Sequence, residues 1–480
     1  MMIDRRRNPM GSLGSAISIA ETAEFFLHGV VGSGADFRFR GIEFMNLNNK
    51  RDLIYPNTNR RFLCVVALAV WACSCTLLAQ GPLLPSAAPG PTMRSLSQVE
   101  PRIPIPAEGA AITAPGSYYL TQNVSPCCNN GTAITIYSNN VTLDLNGFTI
   151  TPQPGSNSNI TAIMIGGFEN IEIRNGHIKG NATFTNGQYT GSGGFARGIA
   201  YGTLVPRNVR VIGVTVQGCL SDGITLGREN TLVKDCMVSV AGGSGIRADV
   251  VTDCVVDKGG IAGIDANTVQ NCRANATQNN ASGIYCATAL NSHGVSNGNP
   301  GYGVYTTSAA TNCFGQNTGG TASGGGGIGL YSLGTATGCV GYSQYGTGLQ
   351  ATTAMNCHGE SSAGFGGAVA LYIRNGTAMN CSGRLNNNTI GGRGIFVENG
   401  TAMGCFGEST GASGNGTGLE AANAVGCVGR GSQFGVRVSR TAQNCSGQGG
   451  TNDVAAHIAV ACSGNIGATH RYLTGIGPDS

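Results

Sequence analysis

Charge is scarce in this chain of 480 residues: only 11% are Asp, Glu, Lys or Arg, and aromatics reach 6% with a single tryptophan. Lysine and arginine number 28 against 24 acidic residues. Residues 1–79 hold 9 of the basic and 6 of the acidic groups, which leaves 19 against 18 for the rest. A balance that even excludes the electrostatic footprint of a nucleic-acid binder. The cysteines of the repeated region contain no CxxC pair, so no zinc spacing is present, and no metal or cofactor is expected. LxxLxL is also absent, which removes the leucine-rich repeat as a rival fold. What fills the space is glycine, 78 residues of it, together with asparagine in place of leucine and glutamate. That composition suits neither a helical nor a disordered chain and supplies many tight turns.

Between Asp222 and Cys445 one unit recurs, shown most clearly by GIFVENGTAMGC at Gly394 to Cys405. A glycine-aliphatic step leads an alternating strand, then a small residue, a turn residue and a cysteine. The aliphatic residue falls at Ile224, Ile246, Ile264, Ile284, Val304, Leu330, Leu349, Leu371, Ile395, Leu419 and Val436, at intervals of 17 to 26 residues. A unit of that length cannot bury its own apolar face and must stack on its neighbours, which predicts a solenoid. Side chains alternate along a strand, so pairs such as Ile246/Ala248 and Ile395/Val397 share the core face. Three residues before the cysteine position, Val233, Val251, Val269, Ala310, Ala336 and their successors predict a second inward strand around a narrow interior.

The residue before the cysteine is always Asn, Asp or Gly, from Asp235 and Asp253 to Asn444. These tolerate left-handed backbone, so this position reads as a bend between strands, and Asp235 and Asp253 read as corner residues. Cysteines 236, 254, 272, 313, 339, 357, 381, 405, 427 and 445 then stack in a ladder, with Ser292 filling one rung. Adjacent rungs are ~4.8 Å apart, within disulfide range, but parallel side chains bridge poorly, and a ladder of reduced, buried thiols is the reading here.

Residues 1–44 carry no pattern and raise the prospect of a start codon further along. Residues 45–79 place Lys50, Arg51, Arg60 and Arg61 before the apolar run 62–79, as in a secretory signal cut near Ala79. Export to the periplasm, the cell surface or the medium follows; retention as a membrane anchor or through a lipidated cysteine is the alternative. Residues 80–106, rich in Pro, Ala and Ser, read as a linker in which Met93, Leu96 and Val99 cap the first coil. The solenoid proper is expected over 107–466, with a tail at 467–480.

The segments PGSYYL, NNVTLDLNGFTI and NIEIRNGHIKG look like the opening coils of bacterial right-handed parallel β-helix proteins, the pectate-lyase-like superfamily, and PTMRSLSQVEP resembles the lead-in of some exported members. The resemblance covers about residues 92–475. It implies an all-β fold, a right-handed parallel β-helix, and a polysaccharide or cell-surface glycan as partner. It does not fix an activity, since the superfamily holds lyases, glycoside hydrolases, epimerases and members with no known catalysis. The paired aspartates of the hydrolase branch reduce here to Asp222 in LSDGI. SHG at Ser292 to Gly294 is similar to that branch's His-Gly motif, yet His293 and His358 both follow the cysteine position as ordinary rung residues. The clustered Asp and Arg of a calcium-dependent lyase are not found.

Candidate site residues come from parity. The residue between each inward pair points out, and down the stack these are Thr225, Arg247, Asp265, Tyr285, Tyr305, Tyr331, Gln350, Tyr372, Phe396, Glu420 and Arg437. Tyr285, Tyr305, Tyr331, Tyr372 and Phe396 predict a flat aromatic strip on which sugar rings stack; a cross-strand ladder that only stabilises the sheet is the competing reading. Asp222, Arg247 and Asp265 approach one face on adjacent coils, where a carboxylate would move a proton and Arg247 would hold a sugar carboxylate; the plainer account is that they are polar side chains solvated on the surface. The insertion Lys179 to Asn208 reads as a Gly-rich loop bringing Phe184, Tyr189, Phe195, Arg197 and Tyr201 above the coils. Two functions stay open: an exported protein that binds and perhaps cleaves polysaccharide, as a lyase or glycoside hydrolase, and a non-catalytic surface, structural or adhesion protein.

Overall fold

The computed structural model describes residues 100–472, except 127–130, 154–159, 192, 322–325, 364–366, 387–390, 410 and 412–413. Contacts divide the chain into Met1–Gly90 and Pro91–Ser480, and every described residue belongs to the second unit. The expected signal segment and Met93, Leu96 and Val99 lie outside the described residues.

Most turns of the repeat become one coil of three short strands, with an Asn, Asp or Gly at the corner between the second strand and the third. The described residues form 43 strands and no helix, 41 of the strands joined by parallel pairing alone. The fold is a parallel β-helix. Its first sheet runs through Ile224–Thr225, Ser244–Arg247 and Ala262–Asp265; its second through Leu232–Lys234, Val250–Thr252 and Thr268–Gln270; its third through Met237–Ala241, Val255–Gly259 and Arg273–Ala276. From Ser282–Leu290 to Leu349–Met355 the first two strands run on as one. Ile103–Ile105, inside the stretch read as linker, is already paired with Gly116–Leu120.

One continuous core fills the coils, and Ile224, Ile246, Ile264, Ile284, Val304, Leu330 and Leu349 are each wholly buried in it. Burying one such side chain contributes roughly 1.5–3 kcal/mol, and no single coil supplies the neighbours for it. The interior tapers. Two residues past the cysteine position the third sheet carries Val238, Val256, Ala274 and then Gly294, Gly315, Gly341 and Gly359. These face the glycines of the glycine-aliphatic step across the interior. A Cβ on Gly341 would lie 2.3 Å from the carbonyl oxygen of Gly348, so the two backbones touch and only glycine fits.

The eleven corner residues all have positive φ, from 49° at Asn291 to 62° at Gly338. Their amides also bond along the stack: Asn271 donates to Asp253 at 3.1 Å, Asn291 to Asn271 at 3.3 Å and Asn312 to Asn291 at 3.3 Å. A second such ladder runs through Asn140, Asn170, Asn208 and Asn230. The described cysteines are free and buried, and those of the ladder follow one another rung by rung. They are more than small hydrophobes, since each sulfur serves the backbone of the corner. Cys254 Sγ accepts the N–H of Cys236 at 3.4 Å and donates to the Thr252 carbonyl at 3.1 Å. Ser292 does the same with oxygen, at 3.2 Å to the Cys272 N–H and 2.8 Å to the Leu290 carbonyl. A buried N–H left without an acceptor is costly, which accounts for cysteine or serine at this rung.

The insertion Lys179 to Asn208 is not a single loop. Thr183–Thr185 and Gln188–Thr190 form an antiparallel hairpin, and Phe195–Tyr201 is a strand of the first sheet, paired on both sides with a register shift between Phe195 and Arg197, and with Phe195 wholly buried. The Gly198–Ile199 step seats that strand as a coil like those that follow. Tyr189 closes the hairpin onto later coils, its hydroxyl 2.8 Å from the Lys258 carbonyl and 2.7 Å from Thr277 Oγ1.

Candidate functional site

The outer face of the first sheet gathers the candidate residues in register: Thr225, Arg247, Asp265, Tyr285, Tyr305, Tyr331, Gln350, Tyr372, Phe396, Glu420 and Arg437 are successive pairing partners. All but Thr225, which is buried, keep part of their surface in solvent, and Tyr285 is 38% exposed.

The aromatic residues do not form the flat strip that parity suggests. Tyr285 and Tyr305 stack with centroids 5.0 Å apart and planes 14° from parallel, and Tyr372 and Phe396 at 5.4 Å and 7°. Near-parallel rings that close must meet face to face, because rings lying side by side in one plane need a wider spacing. The ~4.8 Å step between strands equals a stacking distance, so rings in register fold onto one another and show their edges and hydroxyls outward. Tyr331 departs from this, turned 77° from Tyr305 and stacked on Tyr302 at 5.8 Å and 21°. Burial against neighbours raises the hydroxyls of Tyr302 and Tyr305 above the ordinary phenol value, keeping them protonated donors. Tyr372 is raised by burial and by its hydrogen bond to Glu398 Oε2 at 2.6 Å. Arg393 covers the far end of the row, its guanidinium 4.4 Å over the Phe396 ring, and is paired with Glu420.

Tyr302 is a member that strict alternation misses. In Tyr302–Thr311 both Gly303 and Val304 point inward, so the residue before the glycine swings out. The signal was the glycine-aliphatic doublet itself, which breaks the period of two. Beside Tyr331, at the corner leading to the second sheet, lies a depression of about 290 Å³ lined by Tyr331, Ser332, Leu333, Gln350, Thr352 and Arg374. Leu333 is 47% exposed there.

Arg247 and Asp265 meet directly, Nε donating to Oδ2 at 2.9 Å, while Oδ1 is paired with Arg228. Arg228 also donates to Asn267 Oδ1 at 3.1 Å. Asp222 is joined to them only through Ser244, whose N–H it accepts at 2.8 Å and whose Oγ takes a 3.3 Å bond from Arg247. Arg197 Nε stands 3.9 Å from the other Asp222 oxygen. Proton transfer asks for a carboxylate oxygen free to reach the substrate, and both oxygens of Asp265 are held by guanidinium groups. Among the described residues no group of three or more His, Cys, Asp or Glu could hold a metal ion.

The fold defines the class, a parallel β-helix protein. No family model matches the chain, and no curated protein matches it by sequence. Among solved structures it is similar to the A-module of mannuronan C-5 epimerase AlgE6 of Azotobacter vinelandii, at 14% identity and a TM-score of 0.31 over 76% of this chain and 92% of that one. The AlgE4 A-module of the same organism gives 16% identity and a TM-score of 0.28 over 76% and 90%.

Proposed function

We propose that this protein associates with an extended polysaccharide along the outer face of its first sheet, between Tyr285 and Phe396, as a binding protein and not a cleaving one. The observation that carries this reading is the cluster of Tyr285, Tyr302, Tyr305 and Tyr331, four partly exposed rings in contact beside a polar-edged depression. Tyrosine edges and hydroxyls, with an amide and a guanidinium at hand, suit the alternating apolar and hydroxyl surface of sugars. The engaged oxygens of Asp265 favour binding over catalysis. The basic and apolar pattern of residues 45–79 belongs to the same proposal, as the segment that exports this surface to where polysaccharide lies.

The second reading is a structural β-helix whose rings serve only as a stabilising ladder, favoured by the near-parallel pairs that use up each other's faces. Affinity electrophoresis of the parent, Tyr305→Ala, Tyr331→Ala and the double variant separates the two, in gels containing hydroxyethyl cellulose, pullulan, xylan or alginate. Binding predicts a retarded parent, a modest loss in each single variant and release of the folded double variant. A parent that no gel retards, or a folded double variant held as firmly as the parent, refutes it.

A further inference from the structure

The aromatic row is interrupted once. Gln350 is the pairing partner of Tyr331 on one side and of Tyr372 on the other, so two steps of ~4.8 Å separate the flanking tyrosines. Each flanking ring has one face covered from the far side, Tyr331 by Tyr302 and Tyr372 by Phe396. The opposite face of Tyr372 is turned to the Gln350 rung and meets no other ring among the described residues, while Tyr331, turned 77° from Tyr305, closes the other side of that rung. A separation of ~9.6 Å leaves room over the Gln350 rung for one ring laid on the open face of Tyr372.

The depression beside Tyr331 opens onto this rung and mixes apolar surface with a few polar groups. The Gln350 carboxamide enters no side-chain hydrogen bond among the described residues and stands half-exposed at its base. Thr352 and Asn375 flank it, and Arg374, 66% exposed in its side chain, has one loose link of 3.9 Å, to Glu398. Leu333 supplies an exposed apolar wall. A planar aromatic ligand would cover the Tyr372 face and leave these donors unanswered, whereas a sugar ring offers an apolar C–H face to Tyr372 and hydroxyls around its rim.

We infer that the break at Gln350 is a subsite that takes one pyranose unit of a glycan, laid on the open face of Tyr372 and flanked by Tyr331. The Gln350 amide meets a ring hydroxyl, and the chain leaves along the depression past Leu333, Thr352 and Arg374. This rests on the polysaccharide-binding reading and adds to it where the chain is gripped. It also reverses the usual expectation for a row of rings: the position without an aromatic side chain is the one that binds.

Gln350→Tyr tests it, because that substitution completes the row. A structural ladder gains from a continuous stack, whereas a subsite is filled and lost. The full chain is compared with Gln350→Tyr and Gln350→Glu by thermal unfolding and by affinity electrophoresis in the hydroxyethyl cellulose, pullulan, xylan and alginate gels. The inference expects Gln350→Tyr to melt no lower than the parent while its apparent dissociation constant rises at least tenfold. Gln350→Glu, which keeps the size and removes the N–H donors, should weaken retention several-fold and carries the test if the tyrosine variant does not fold. A parent retarded by a gel, with Gln350→Tyr, or in its absence Gln350→Glu, retarded equally, overturns the subsite and leaves the wider binding surface standing. A parent that no gel retards overturns both.

Discussion

Cysteine at the corner rung does a job that alanine cannot do and serine can, and Cys357 shows the consequence. Its sulfur accepts the N–H of Cys339 at 3.4 Å and donates toward the carbonyls of Met355 at 3.2 Å and Ala336 at 3.3 Å, the first and last of these bonds fully buried. Cys357→Ala strips the acceptor from the Cys339 N–H. An orphaned buried donor costs ~1 kcal/mol or more, and the small void left by the sulfur adds ~1 kcal/mol, for a loss of about 2 kcal/mol. Cys357→Ser keeps donor and acceptor in the arrangement that Ser292 already makes, so its cost should stay below ~1 kcal/mol. Urea unfolding of the parent and both variants under reducing conditions measures the difference, read as midpoint shifts because a solenoid need not unfold in two states. Serine as damaging as alanine would show that the thiol acts only through its apolar bulk.

Gly341→Ala should destabilise by about 3 kcal/mol, since its Cβ would stand 2.3 Å from a backbone oxygen; an unchanged urea midpoint would mean the coils are wider than described. Val240 adopts φ +57°, costly for a β-branched residue, so Val240→Asn should raise the melting temperature, gaining up to ~1 kcal/mol, and a fall would place its packing above its strain. Burial pushes the Cys219 thiol up to about 12, so native protein at pH 8 should leave it unreacted with a thiol reagent while the unreduced, denatured chain exposes its thiols; few reactive thiols after denaturation would mean disulfides. Burial, and then the neighbouring Arg273 charge, lower the His293 pKa below 6.5. The unfolded chain therefore binds the proton first, stability falls as pH drops below 6.5, and His293→Phe should flatten that part of the urea-midpoint profile.

The coil was legible because its corners have few solutions: left-handed backbone admits Asn, Asp and Gly, and the eleven positions that carry only those residues all show positive φ. Phe195–Tyr201 was missed although Gly198–Ile199 is the same glycine-aliphatic step, 25 residues before Ile224, because the hairpin ahead of it disguised the spacing. The sulfur's hydrogen bonds were hidden, since a hydropathy pattern counts cysteine as a small apolar residue. Parity placed Tyr285, Tyr305, Tyr331, Tyr372 and Phe396 on one face but says nothing of ring rotation, and the stacking that uses up their faces follows from strand spacing. Asp222, Arg247 and Asp265 were legible as neighbours; Arg228, which takes the second Asp265 oxygen, comes from the following corner and carries no repeat signal.

Hydroxyl-radical footprinting of the full chain, with and without the polysaccharide that retards it, addresses the binding face most directly. Protection is expected at Tyr305, Tyr331 and Tyr372, with none at Tyr137, which is 45% exposed and stands near Phe168 on an earlier coil. Protection confined to other coils, or no protection of these tyrosines while the polysaccharide is bound, would contradict the account.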